Sequence, residues 1–240
     1  MGPLQDHHPL AAGTELVAVA SEPHLRGEIG GGLTDGPKVL EKPTRVRLTG
    51  PSRNGGVALE RCIRQRRSVR SFRDEALSEH DLGQLLWAAQ GVTSSDGMRT
   101  VPSAGALYPL ELYAICGNVA ALTAGVYRYA AERHELVLVA PGDQREKLAV
   151  AAYGQEWIAA APAVICIAAV FARTTVKYGD RGRGYVYIEA GHAAENLMLT
   201  AVALGLATTM VGAFSDDEVK RLVRLAANET PLCLIPVGAP

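Results

Sequence analysis

The rhythm of apolar and polar positions in this 240-residue chain changes near residue 55. Before that point the run 27–38, GEIGGGLTDGPK, offers little apolar surface for a core. A flexible arm is expected over 1–55, within which TRVRLTG (44–50) alternates as a short added strand would. One ordered domain is expected over 56–240. In VALERCIRQRR (57–67) Val57, Leu59 and Ile63 recur at helical spacing and are expected to point inward. SEHDLGQLLWAAQG (78–91) reads as a second helix. Ser78 supplies its N-cap and Asp81 an approximate capping box, while Leu82, Leu85, Leu86 and Ala89 form the buried stripe and Gly91 the stop.

Downstream, LELYAIC (110–116) has the pattern of a strand, and GVYRYAAERHELVLV (125–139) that of a hairpin around a polar turn. DQREKLAVAAYG (143–154) is helical. APAVICIAAVF (161–171) is a continuous apolar run, as in a strand covered on both faces. GYVYIEAGHAAENLMLTAVALG (184–205) is the longest helix and apolar almost all round, which predicts a central position. TTMVGAF (208–214) reads as a short strand, SDDEVKRLVRLA (215–226) as a helix capped at Ser215, and PLCLIPVG (231–238) as a last strand. With no regular βαβ beat, these elements predict an α+β domain whose central mixed or antiparallel sheet is flanked by helices, one of them long and buried.

Composition narrows the function classes. At 48% hydrophobic and 20% charged, the chain can bury a sizeable core. A formal net charge of -1 gives no reason to expect nucleic acid or an anionic membrane as partner. The longest apolar stretch is interrupted by Gly205 and by threonines, short of a spanning helix. The N-terminus lacks the basic segment of a signal peptide. The four cysteines lie far apart without a CxxC, and Cys116 and Cys166 sit in strand-like runs. Buried free thiols in a reducing cytoplasm are expected. Only five lysines accompany 19 arginines, so each lysine merits inspection.

Several stretches could carry chemistry. In RQRRSVRSFR (64–73) Arg66, Arg67, Ser68 and Arg70 follow the end of a helix. Guanidinium forks and a hydroxyl suit a phosphate, and they equally suit a solvated basic face at a helix C-terminus. Pro102, Ser103, Ala104, Gly105 and Ala106 precede a strand. Their short side chains would let a ligand approach the backbone, or they form a plain loop. Gly212 and Ala213 end TTMVGA, where amides could face a ligand or simply turn the chain into a helix. Lys177 and Tyr178 stand in a Gly- and Arg-rich loop after the buried strand, as a base and a proton relay or as a surface pair. Glu189, His192 and Glu195 form ExxHxxE, half of a di-iron carboxylate pattern, but no second ExxH exists. No metal is expected there, and His192 is expected to be hydrogen-bonded within the helix packing. GxGxxG, GxxxxGK[ST] and GxSxG are absent, which disfavours dinucleotide wrapping, phosphoryl transfer and serine hydrolysis.

Taken in order, RRSVRSF, LSEHDLGQLLWAAQGV, RTVPSAGALYPLELY, GVYRY, KYGDRG, YIEAGHAAENLMLTAVALGLATTMVGAF and PLCLIPVG resemble the SagB-type dehydrogenase branch of the nitroreductase family, over about residues 56–240. The resemblance implies a nitroreductase-like fold, an FMN cofactor and a homodimer with two flavins at its interface, the helix from Tyr185 being the central dimer helix. It implies that Arg66, Arg67 and Ser68 meet the phosphate and ribityl chain, with Arg70 beside them. Pro102, Ser103, Ala104, Gly105 and Ala106 would reach a flavin bound mainly by the other copy, and Gly212 and Ala213 would flank the ring's N5 edge. Many members carry Asn where this chain has Ala106, and a C-terminal Arg or Lys where this chain ends at Pro240. Arg66, Arg67 and Arg70 are then expected to carry more of the phosphate's charge. The branch oxidises azoline (thiazoline or oxazoline) rings in modified peptides, in some settings beside partner enzymes of a biosynthetic complex. The implied enzyme is an FMN-dependent oxidoreductase in which Lys177 or Tyr178 takes the ring-carbon proton as hydride leaves to flavin N5. Two other readings share these residues: an NAD(P)H-dependent nitro or quinone reductase, and a non-catalytic flavin-fold scaffold.

Overall fold

The computed structural model describes residues 44–240, so most of the expected arm lies outside the described residues. The strands are β1 (Arg45–Arg47), β2 (Leu110–Cys116), β3 (Gly125–Ala130), β4 (Glu135–Pro141), β5 (Ala163–Ala169), β6 (Ala207–Thr208) and β7 (Thr230–Gly238). They form one sheet in the order β1-β4-β3-β2-β5-β7-β6. Every neighbouring pair is antiparallel. The sheet begins earlier than the boundary expected at residue 56. Val46 pairs with Leu136 on β4, Arg45 bridges Glu135, and Leu48 is buried. That burial, with the ladder bonds, holds residues 45–48 in the fold.

β2 and β5 sit at the centre with both faces covered. Leu112, Ala114, Ile165 and Ile167 face one core, while Tyr113, Ile115, Val164 and Cys166 face another. This period of two on a sheet buried on both sides explains why both strands read as continuous apolar runs. The first core is closed by α2 (Glu79–Gln90) and α6 (Arg181–Ala203). The second is closed by α3 (Arg145–Ala151), α4 (Trp157–Ala160) and α7 (Asp216–Val223). α1 (Leu59–Gln65) and α5 (Ala172–Tyr178) pack on α6. All four cysteines are buried and free, and burial pushes the thiols of Cys116 and Cys233 up to about 12.

Five local expectations are corrected. Leu59 and Ile63 do not point inward: each is 58% exposed, and Cys62 is the buried residue of α1. The helical period is right, but the apolar side of this short helix faces away from its own core. Lys177 and Tyr178 close a helix instead of lying in a loop, and α6 starts at Arg181, before the expected 184. The strand expected over 208–214 shrinks to β6 plus a bridge between Val211 and Leu234. Ser215 precedes α7 but makes no side-chain cap bond.

The Ser78 cap is formed as the sequence predicts. Its Oγ accepts from the Asp81 N–H at 3.0 Å and donates to Asp81 Oδ2 at 2.6 Å. Ser78→Ala is expected to destabilise the fold by about 1 kcal/mol, read as a lowered urea midpoint with an unchanged denaturant slope.

Candidate functional site

The loop leading into β2 is shaped by backbone more than by side chains. The Ser103 Oγ accepts from the Tyr108 N–H at 3.0 Å, closing a tight turn. Inside it Ala104–Ala106 form a 3-10 turn in which Gly105 has φ +66°. Ala106 and Tyr108 also take left-handed φ, at 54° and 43°. Such conformations are costly for residues with a Cβ and accumulate where the surroundings impose them.

The neighbours of Gly105 are Lys177 and Tyr178, the last two residues of α5. A Cβ built on Gly105 would stand 2.9 Å from Lys177 Nζ and 2.9 Å from Tyr178 OH. Both polar ends therefore lie against the glycine backbone, and a Cβ there would push them aside. The Tyr178 ring is held edge-on by Tyr185 of α6 at 5.2 Å between centroids, and Lys177 Nζ lies 5.3 Å from the Tyr178 ring centre. Two segments far apart in sequence thus meet at one point.

Glu189 adds a group that the sequence offered only as part of a metal pattern. It projects from the sheet-facing side of α6 and borders a cavity of about 280 Å³ with Pro102, Ser103, Tyr185 and His192. Burial pushes its carboxyl up to about 7, against the opposing pull of the Ser103 hydroxyl, Arg99 and Gln90. Its Oε1 and the Nε2 of Gln90 are both buried without a hydrogen-bond partner. The signal was present in the spacing: Glu189 shares its helix face with Val186 and Ala193, both fully buried. His192 is exposed, not hydrogen-bonded in the packing as expected, and Glu195 meets Arg66 instead of a metal. Among the described residues no group of three His, Cys, Asp or Glu is placed to hold a metal ion.

The arginine stretch lies further along α6. Arg66 ends α1, with its Nε 3.6 Å from Glu195 Oε1. Arg67 Nη1 donates to the carbonyls of Arg64 and Arg66 at 3.0 and 2.7 Å. Arg70 lies 5.7 Å from the Trp157 ring centre. Neither Arg67 nor Arg70 has a carboxylate partner among the described residues. Ser68 is exposed, and the Val69 N–H donates to the Thr208 carbonyl at 2.9 Å, which ties this stretch to β6. Beside it Arg67, Val202, Thr208 and Pro240 line a second cavity of about 270 Å³.

Gly212 and Ala213 are exposed beyond β6, the Ala213 carbonyl accepting from Gln155 Nε2 at 2.9 Å. A Cβ on Gly212 would meet nothing within 4 Å, so this backbone edge is open to a ligand. The donor set fits a flavin mononucleotide in kind: unpaired guanidinium groups and a hydroxyl for a phosphate, open backbone for a ring edge, and small side chains where a flat ring could lie. Within one chain, however, the arginine stretch and the small-residue loop border separate cavities.

Comparison with known proteins gives a consistent result. A family-level match to the nitroreductase family spans residues 63–239. “Putative nitroreductase MJ1384” of Methanocaldococcus jannaschii is 46% identical over 182 residues, 76% of this chain and 91% of that protein. A solved Ralstonia eutropha structure of the same description superposes with a TM-score of 0.72 at 27% identity, covering 81% of this chain and 89% of that one. A chain of the E. coli microcin synthetase McbBCD complex with truncated pro-MccB17 bound gives 0.64 at 25% identity, over 71% of this chain and 67% of that one.

Glu189 yields a stability test. Its folded pKa of about 7 exceeds the ordinary 4.5, so the folded state holds the proton more tightly. The resulting stabilisation is fully present below 4.5 and is lost as pH rises through 7. Glu189→Gln removes this dependence, and at pH 8 it is expected to be more stable than the parent by on the order of 2 kcal/mol. Urea denaturation of both proteins at pH 4.5 and pH 8 checks the sign.

Proposed function

This chain belongs to the nitroreductase family and is a flavin-dependent oxidoreductase, and from that premise we propose an FMN-dependent dehydrogenase of the SagB type, acting on an azoline in a peptide or related small molecule. The observation that carries the reading is the convergence of Lys177 Nζ and Tyr178 OH on the Gly105 backbone. A base and a proton relay would there border the surface on which the ring is expected to lie. The likeness to a chain of a microcin synthetase complex supports a setting among biosynthetic partner enzymes.

In this reading Arg66, Arg67, Ser68 and Arg70 hold the phosphate end. The run Pro102, Ser103, Ala104, Gly105 and Ala106 lies against the ring, and Gly212 and Ala213 flank its edge. When bound, FMN supplies the acceptor for the hydride that leaves the substrate carbon. Lys177 Nζ, with Tyr178 OH beside it, takes the proton from the adjacent ring carbon, so that the two carbons are left joined by a double bond. The separate cavities of the two half-sites support a homodimer, in which a second copy covers the outward apolar side of α1 and the exposed Tyr187 and Ile188 of α6.

A second reading, an NAD(P)H-dependent nitro or quinone reductase, is favoured by the description of the M. jannaschii relative. It uses the same flavin residues with hydride flowing in the opposite direction.

The purified protein is expected to bind FMN and show a flavin absorption band. Lys177→Ala and Tyr178→Phe should retain FMN while azoline turnover falls by roughly 10²–10⁴. Wild-type turnover in both variants would remove the pair from the mechanism. Rapid bleaching of the bound flavin by NADH or NADPH would favour the reductase, and a protein that stays colourless after incubation with FMN would remove both enzyme readings.

A further inference from the structure

A cavity of about 410 Å³ lies between loop residues 107–108, strands β2 and β3, and the first turn of α5. Its walls carry Arg99, Arg128 and Arg173 against Glu111 and Glu132, one formal positive charge in excess. Glu111 has a 9% exposed side chain and is shared between two of the arginines. Its Oε2 accepts from Arg128 Nε and Nη2 at 3.1 and 2.7 Å, and its Oε1 from Arg173 Nη2 at 2.6 Å. Arg173 Nη1 donates to the Tyr108 carbonyl at 2.9 Å. Arg128 Nη1 has no acceptor among the described residues.

One carboxylate cannot neutralise two guanidinium groups, and the third arginine is only partly offset. Arg99 Nη2 meets Glu132 at 2.8 Å, but that glutamate's side chain is 69% exposed, so water and salt screen the pair. The Arg99 guanidinium also lies 4.6 Å from the Tyr108 ring centre, which holds it at the cavity wall. Arg99 Nη1 donates to Gln90 Oε1 at 3.0 Å, so the donors left over in the recess are Arg128 Nη1 and Arg99 Nε, and two such charge-assisted donors suit a small anion. A surplus of one charge suits a monoanion better than a pyrophosphate.

The cavity also has a defined neighbour. Arg173 and Lys177 are four residues apart on α5 and so share a face of that helix. Tyr108 follows directly on the turn that holds Gly105. We propose that this cavity is a carboxylate subsite, which holds the carboxylate of the substrate next to the ring that is oxidised. Its placement beside the reacting ring rests on the dehydrogenase reading; its affinity for a carboxylate does not.

The test uses the full chain loaded with FMN. It is titrated with N-acetylglycine, N-acetylglycinamide, inorganic phosphate and NADPH, followed by thermal shift and saturation-transfer NMR. N-acetylglycine is expected to bind at least about tenfold more tightly than its amide, and neither phosphate nor NADPH should displace it. Arg128→Gln, and separately Arg99→Gln, which leaves the Glu111 cluster intact, should each weaken the acid by about tenfold with FMN content unchanged. If Arg128→Gln does not fold, Arg99→Gln decides alone. Equal binding of acid and amide, full affinity in the folded variants, or displacement by phosphate or NADPH overturns the proposal.

A second arm compares an oxazoline-bearing dipeptide as free acid and as amide. The acid is expected to show a KM about tenfold lower at similar kcat. Turnover of both with equal KM overturns the subsite and leaves the dehydrogenase standing. Selective binding of N-acetylglycine with no turnover of either dipeptide overturns the dehydrogenase and leaves the subsite standing.

Discussion

α6 meets the first core through Ala190, Ala193, Ala194 and Ala201, side chains that end at Cβ, with Val186 and Leu197 filling the gaps between them. That composition lets a 23-residue helix lie close over β2 and β5. The candidate site hangs from this seating. Tyr185 holds Tyr178, Glu189 borders the Ser103 loop, and Glu195 receives Arg66. Three contacts along one rigid rod fix the relative positions of the end of α5, the Ser103 loop and the end of α1. A bulkier residue at any of the alanines would lift the rod and shift all three contacts together.

Two buried glutamates show how the fold spends its polar groups. Glu111 is enclosed by two guanidinium groups that satisfy both of its oxygens. Glu189 is as deeply buried but has no cation in contact and one oxygen without a partner. The first is an ion cluster whose removal by halves would leave charge stranded in the interior. The second is a carboxyl whose neutral form the interior prefers. Similar depth with opposite surroundings gives one carboxylate enclosed by cations and another carboxyl that can change charge near neutrality.

Much of this was legible in the residues, and the rest was not for identifiable reasons. β2 and β5 announced themselves as apolar runs, and α2 by its cap and its leucine stripe, because these signals are local. The outward side of α1 is not legible from sequence because apolar spacing gives a helix's period but not the direction in which its apolar side faces. The glycines that follow Lys177 and Tyr178 give the sequence the look of a loop and mask a seven-residue helix. The resemblance singled out the pair, but no spacing rule could show that they rest on Gly105. The arginine cavity was invisible for the same reason. Arg99, Arg128 and Arg173 come from a loop, a strand and a helix that only the antiparallel pairing of β2 with β3 and β5 assembles.

The bond from Val69 to Thr208 also bears on how the protein behaves in a crowded solution. β6 is two residues long and closes one end of the sheet, so the stretch carrying Arg66, Arg67 and Arg70 runs along what would otherwise be a bare edge. Charged side chains on an edge discourage other sheets from adding to it. The stretch proposed to hold a phosphate is thus also a guard of the sheet edge. Loosening this stretch would uncover the edge of β6 and open it to pairing with other chains.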